Sequence, residues 1–190
     1  MEPCATDQTS EHELVRKARW GDGDAFAQLY RLHARAVHAL ALRLTGNTAA
    51  AEDITQDVFL KMLQFLGGFH EDAPLRPWLK RVTANVAIDR LRRERPQQMA
   101  SLDEQWHEAG AGPAQHAEAS TLLRRLPPLV RTVVWLHEME GWSHPDLARR
   151  FGRSQSWSKS VLSRGLARLR VDLEGPEPEG DPHADDADGP

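Results

Sequence analysis

Residues 143–170 read SHPDLARRFGRSQSWSKSVLSRGLARLR, and the punctuation of this stretch decides the fold. Ser143 is placed to cap a helix HPDLARRF, Gly152 supplies a left-handed turn residue, and Ser154 caps a second helix starting at Gln155. That order is the grammar of a helix–turn–helix. Ala148 lies four residues before the turn glycine with Leu147 and Phe151 facing inward, and a bulkier residue at 148 would push the two helices apart. The second helix then turns Gln155, Ser156, Lys159, Ser160, Ser163 and Arg164 outward, with Leu162, Leu166 and Leu169 packed behind. Short hydrogen-bonding side chains among basic ones suit base edges and phosphates in a major groove. Trp157, large and near the helix start, either packs on the first helix or touches a thymine methyl. A helical hairpin with a solvated basic face would carry the same pattern.

Upstream the period is again helical. Residues 13–19 and 24–45 step through Phe26, Leu29, Leu32 or His33, Val37, Leu40 and Leu44, and Gly46-Asn47 ends that helix. Thr48 is placed to cap a helix over 51–66, whose apolar stripe is Ile54, Val58, Met62 and Phe65 and whose stop is Gly67-Gly68. Its opposite face carries Glu52, Asp53, Gln56, Asp57 and Leu60, which suits a protein partner better than DNA and equally fits a solvated charged face. A third helix begins near Pro77 and closes before Pro96. Along it Arg81, Asn85, Asp89 and Arg93 follow at four-residue steps, with Arg92 beside them. Arginines there would hold phosphates and an asparagine amide a base edge; a salt-bridged surface helix is the alternative. The loop from Gly67 to Pro74, containing Phe69 and His70, has the composition to hold an extruded base. No segment alternates with period two for long enough to make a strand, so the expected class is all-α.

The net charge of −4 conceals a partition. Residues 174–190 hold seven acidic residues and no Lys or Arg, leaving twenty-four basic against twenty-one acidic over 1–173, a net of +3. Residues 76–95 carry +5 and residues 121–173 carry +6, two separated basic blocks that point to two contacts with a polyanion. Residues 97–118 are polar and weakly periodic, a flexible linker between two small helical domains at 13–96 and 119–173. A short N-terminal segment (1–12) precedes them, and the acidic tail, poor in apolar side chains, is expected to be disordered. A lone Cys4 excludes a disulfide framework, and nine histidines show no paired metal spacing. With no Walker loop, GxGxxG or nucleophile elbow, neither enzyme nor cofactor is expected. No membrane-length apolar run and no signal peptide are visible, so membrane insertion is not expected and a cytoplasmic protein is. Trp20, Trp106, Trp135 and Trp142 are assigned to core or linker packing, and His33 and His38 to ordinary helix positions.

Three stretches in fixed order, AAEDITQDVFLKML, PWLKRVTANVAIDRLRRERP and LRRLPPLVRTVVWLHEMEGWSHPDLARRFGRS, closely resemble the extracytoplasmic-function (ECF) sigma factors of the sigma-70 family. The resemblance covers about residues 13–96 and 119–171. It implies a sigma-2-like domain that binds the clamp helices of core RNA polymerase and recognises the −10 promoter element, partly as melted strand. It also implies a sigma-4-like domain that binds the −35 duplex and the polymerase flap, and an anti-sigma factor as a further partner. Carried over, Glu52, Asp53, Gln56, Asp57 and Leu60 are the polymerase contacts. Phe69, His70, Arg81, Asn85, Asp89, Arg92 and Arg93 become the −10 reader, and Gln155, Ser156, Trp157, Lys159, Ser160, Ser163 and Arg164 the −35 reader. Departures are Ala50 where an acidic residue is common and Thr55 where an aliphatic is usual, both expected to weaken the clamp contact. In the recognition helix, Ser158 replaces a buried aliphatic and Val161 an arginine. A stand-alone helix–turn–helix regulator is the competing class, though it would not require an acidic helix followed by a basic one.

Overall fold

The computed structural model describes residues 5–68, 74–94 and 119–174. The linker at 97–118, most of the loop bearing Phe69 and His70, and the tail beyond residue 174 lie outside the described residues. All regular structure among those described is helical: α1 (Ala5–Arg19), α2 (Gly23–Thr45), α3 (Thr48–Phe65), a 3₁₀ turn at Leu66–Gly68, α4 (Leu75–Glu94), α5 (Ala119–Arg125), α6 (Pro128–Glu138), α7 (His144–Phe151) and α8 (Gln155–Glu174). The fold is all-α, with a four-helix N-terminal half and a helix–turn–helix C-terminal half.

Local chemistry sets the boundaries. Asp22 caps α2 by accepting from the amides of Asp24 and Ala25, and α2 ends at Gly46 in the left-handed region, φ +67°. Asn47, not Thr48, caps α3 through a 2.9 Å bond from the Ala50 amide. Helix α1 starts at Ala5, upstream of the expected first domain. In α2 the choice between Leu32 and His33 falls to the histidine. His33 is buried and its Nε2 lies 3.3 Å from a Glu11 carboxylate oxygen, while Leu32 is exposed. Burial outweighs that carboxylate and holds the His33 ring below the usual imidazole range.

Leu29, Leu44, Ile54, Val58, Met62, Leu79 and Ile88 form the centre of the N-terminal half. In the C-terminal half Leu129, Val133, Leu136, Leu147, Phe151 and Leu162 do the same, and the two sets merge into one apolar cluster. Helices α2 and α4 pack on α6, and α4 also packs on α7. Gly165 permits the closest crossing: a Cβ there would stand 2.7 Å from a Val134 methyl and 2.9 Å from a Val130 methyl, so only glycine lets α8 lie against α6. Trp135 and Trp142 pack on the core as expected, but Trp20 is 85% exposed and packs in no core.

Candidate nucleic-acid interface

The helix–turn–helix is built as its punctuation predicts. The Ser143 hydroxyl accepts from the Asp146 amide and donates to the Asp146 carboxylate at 2.6 Å, which holds that carboxyl below its usual range. Gly152 adopts φ +66° and donates its amide back to the end of α7. The Ser154 hydroxyl accepts from the Trp157 amide at 3.1 Å and starts α8. Ala148 is buried between Leu147 and Phe151, the small residue that close helix contact requires.

Helix α8 presents Gln155, Ser156, Lys159, Ser160, Ser163 and Arg164 to solvent. Trp157 does not join them. Its ring packs on Phe151, centroids 5.2 Å apart, and its indole nitrogen is buried without a hydrogen-bond partner. The inner stripe also differs from the expected one: Ser158, Val161, Leu162 and Gly165 are buried, whereas Leu166 is exposed. Ser158 is fully buried because its hydroxyl has a partner, His144 Nδ1 at 3.1 Å. The His144 ring stacks on His137, and burial, reinforced by His137 and Lys159, holds it below the usual imidazole range.

On α3, Glu52, Asp53, Gln56, Asp57 and Leu60 all face solvent opposite buried Ile54, Val58 and Met62. Asp53 is not a free carboxylate: Arg90 of α4 donates to it at 2.8 Å and is ion-paired with Glu94 at 2.6 Å. A shallow groove results, lined by Asp53, Gln56 and Asp57 on one wall and Arg90, Arg93 and Glu94 on the other. The two departures on α3 lie elsewhere. Ala50 is buried, and Thr55 is buried with its hydroxyl donating to the Ala51 carbonyl at 2.7 Å, so both bear on packing and neither on the exposed face.

Helix α4 carries Arg81, Asn85, Asp89, Arg92 and Arg93 on one side, yet in unequal settings. Arg81, Arg92 and Arg93 are exposed, Asn85 and Asp89 half-buried. The cover is Arg150 of α7, which donates to the Asn85 carbonyl at 2.8 Å and to the Asp89 carboxylate at 2.6 Å. Arg81 lines a cleft of about 490 Å³ shared with Lys80, Glu140, Trp142 and Asp146. Arg93 instead turns toward the α3 groove, its Nε donating to the Asp89 carbonyl at 3.4 Å. Phe69 and His70, assigned to the same reader, fall outside the described residues.

Sequence reasoning missed Arg131. This α6 side chain is 4% exposed, and its guanidinium donates to the carbonyls of Leu44 and Thr45 at the end of α2 and to that of Arg124. The Thr132 hydroxyl reaches the Leu44 carbonyl as well, at 3.1 Å. Burial of an arginine within an apolar helix was the available signal, but nothing in the chain names a carbonyl eighty-seven residues upstream as its partner. Among the described residues no helix is long and apolar enough to cross a membrane, and no group of three or more His, Cys, Asp or Glu is placed to hold a metal.

Two family models match, sigma-70 region 2 over residues 29–97 and sigma-70 region 4 over residues 116–169. The chain is 37% identical over 166 residues to the ECF RNA polymerase sigma factor SigM of Mycobacterium tuberculosis, covering 85% of this chain and 84% of the relative. It is 31% identical over 162 residues to the RNA polymerase sigma factor CarQ of Myxococcus xanthus, covering 82% and 93%. Among solved structures, CnrH in complex with the cytosolic domain of CnrY is similar at a TM-score of 0.50 and 25% identity, covering 88% of this chain and 99% of that one.

Proposed function

The chain belongs to the ECF group of the sigma-70 family and is an alternative RNA polymerase sigma factor; from that premise we propose how its residues divide the work. Residues 13–96 form the unit that holds core polymerase and reads the −10 element, and residues 119–173 the unit that reads the −35 duplex, with 97–118 joining them. The protein works in the cytoplasm and catalyses nothing itself: it lends promoter sequence preference to polymerase and helps open the −10 strands. The observation that carries this assignment is the row of exposed polar and basic side chains on α8, raised on a helix–turn–helix whose caps and turn glycine are all in place.

In that division Gln155, Ser156, Lys159, Ser160, Ser163 and Arg164 meet the −35 bases and phosphates, and Trp157 positions the helix start from below. Asn85 reads a −10 base while Arg81, Arg92 and Arg93 hold phosphates, with Phe69 and His70 supplying the base pocket. Glu52, Asp53, Gln56, Asp57 and Leu60 dock on the clamp helices, where a polymerase arginine or lysine competes with Arg90 for Asp53. An anti-sigma factor that covers these faces is a further partner, in keeping with the similar chain CnrH being held in complex with the cytosolic domain of CnrY.

Co-purification with core polymerase followed by transcription on a promoter library tests the whole reading. Stable core binding and initiation from a defined −35/−10 pair are expected, and absence of stable core binding would sink it. Charge reversal of Asp53 and Asp57 to Lys should lower core affinity while leaving duplex binding intact. Unchanged core affinity in that double variant rejects the clamp assignment.

A further inference from the structure

A buried hydroxyl needs a partner, and for Ser158 of α8 that partner comes from the start of α7. Ser158 stands where the resemblance implies a buried aliphatic, yet it is fully buried and meets His144 Nδ1 at 3.1 Å. His144 is the first residue of α7, and its ring stacks on that of His137 from α6, centroids 4.5 Å apart and planes 19° from parallel. His137 Nδ1 in turn lies 2.7 Å from the Trp142 carbonyl. One line of contacts therefore runs from the end of α6 through the turn and α7 to the first turn of α8, directly beneath exposed Lys159 and Ser160.

The donors and acceptors fix the charge state that this line requires. A carbonyl only accepts, so His137 Nδ1 carries the proton of its bond whether or not Nε2 is protonated too. The Ser158 hydroxyl has one proton to give, and His144 Nδ1 takes it only when that nitrogen is bare. Protonating His144 there forces the bond to reverse or break. It also sets an imidazolium at the N-terminus of a helix, where the dipole opposes a cation. The charged or titratable groups that face the ring are His137 from α6 and Lys159 from α8, and neither welcomes a positive charge. The α7 carboxylate two residues on, Asp146, is engaged by Ser143 and Arg149 and shares its cleft with Arg81 of α4.

We propose that His144 and Ser158, backed by His137, are positioning residues for the recognition helix, and that their hydrogen bond makes reading of the −35 duplex sensitive to acid. This role rests on the assignment of α8 as the −35 reader. With His144 neutral, α7 holds the start of α8 at one pitch, and Ser156, Lys159 and Ser160 keep a single register on the bases. With His144 protonated, that start is released. The basic side chains still meet phosphate, helped by one more positive charge, while base discrimination falls. Acid therefore lowers specific affinity and raises non-specific affinity, two opposite signs that general unfolding does not produce.

The test measures binding of the full chain, with and without core polymerase, to two duplexes between pH 7.5 and 5.5. One carries the −35 sequence that the promoter library selects, and the other a scrambled sequence. In the unmutated chain the ratio of the two affinities should fall by about threefold or more with acid, while affinity for the scrambled duplex rises. His144→Asn places an amide oxygen where Nδ1 stands, so it accepts the same hydroxyl without titrating. It should keep the ratio at pH 7.5 within about twofold and flatten the pH dependence. Ser158→Ala removes the donor and should lower the ratio at pH 7.5 and shrink its pH dependence. A ratio that titrates in His144→Asn as in the unmutated chain overturns the proposal, and so does a ratio that is flat in both. Equal affinity for the two duplexes at every pH overturns the −35 assignment along with it, whereas the core-binding assay above is unaffected by either result. Should His144→Asn lose helicity, Ser158→Ala is judged in its place, and a pH dependence equal to that of the unmutated chain overturns the proposal.

Discussion

Helices α4 and α8 are both basic, both twenty residues long, and both carry polar side chains along one side. They differ in what that side meets. The polar row of α8 opens to solvent from Gln155 to Arg164, and its buried stripe holds α6 through Gly165. The middle of the row on α4 is covered by Arg150, and its ends face a cleft and a groove that other elements complete. A pattern of residues on a helix thus specifies what the face is able to bind; whether the face is available is decided by elements distant in the chain.

The contrast depends first on the Arg131 cap at the end of α2. Arg131→Met keeps the bulk but removes the guanidinium, leaving the Thr45 carbonyl without its donor and the Leu44 carbonyl with Thr132 alone, and it should cost about 3 kcal/mol in urea unfolding. A loss below about 1 kcal/mol would mean that water already serves those carbonyls and that α4 is covered only by its surface pairs. Next comes the inner side of α8. Alanine normally stabilises a helix interior by about 1 kcal/mol over glycine, but Gly165→Ala drives a Cβ into Val130 and Val134 and should destabilise by about 1–3 kcal/mol. A stabilised variant would show that α8 crosses α6 with room to spare.

On α4 itself, Asn85→Ala should lose about 1–2 kcal/mol of discrimination between matched and mismatched −10 strands, in complex with core polymerase. Arg93→Ala should weaken both strands alike and reduce the salt slope by about one unit. Equal losses on both strands for Asn85→Ala would reduce it to a structural residue. The smallest effect is in pH. His33 has its folded value depressed below the ordinary 6.5 by burial, so the stability it contributes is present above about pH 6.5 and is lost as pH falls through the folded value. Urea midpoints at pH 7.5 and 5.5 should therefore converge in His33→Leu relative to the unmutated chain, and an unchanged difference would assign the acid sensitivity to His144, whose value is depressed in the same direction.

Much of this was legible in the chain because it is local. Caps at Ser143 and Ser154 and the glycine at 152 act over one or two turns, and each formed where its residues put it, whereas the apolar steps failed at Phe65 and Leu166, both exposed. The errors share a cause in tertiary packing. Trp157 had two possible neighbours, and only the closeness of Phe151 selects one. Ala50 and Thr55 belonged to a recognisable motif, but one helical step separates the exposed acidic side of α3 from its core. The assignment of Trp20 to packing failed because an aromatic residue in a turn carries no periodicity to say which way it points. Arg150 and Arg131 looked like any arginines of a basic domain, and their partners lie sixty to ninety residues away.

The tight fit of Gly46 beneath Arg131 couples two positions that lie far apart in the chain. While residue 131 is arginine, a side chain at 46 has to move the end of that arginine and also adopt a left-handed backbone. Shortening residue 131 lifts that steric bar but not the conformational one, since φ +67° still disfavours every branched side chain. Asparagine, which tolerates that backbone best after glycine, is therefore expected to cost less at 46 in an Arg131→Met background than in the unmutated chain.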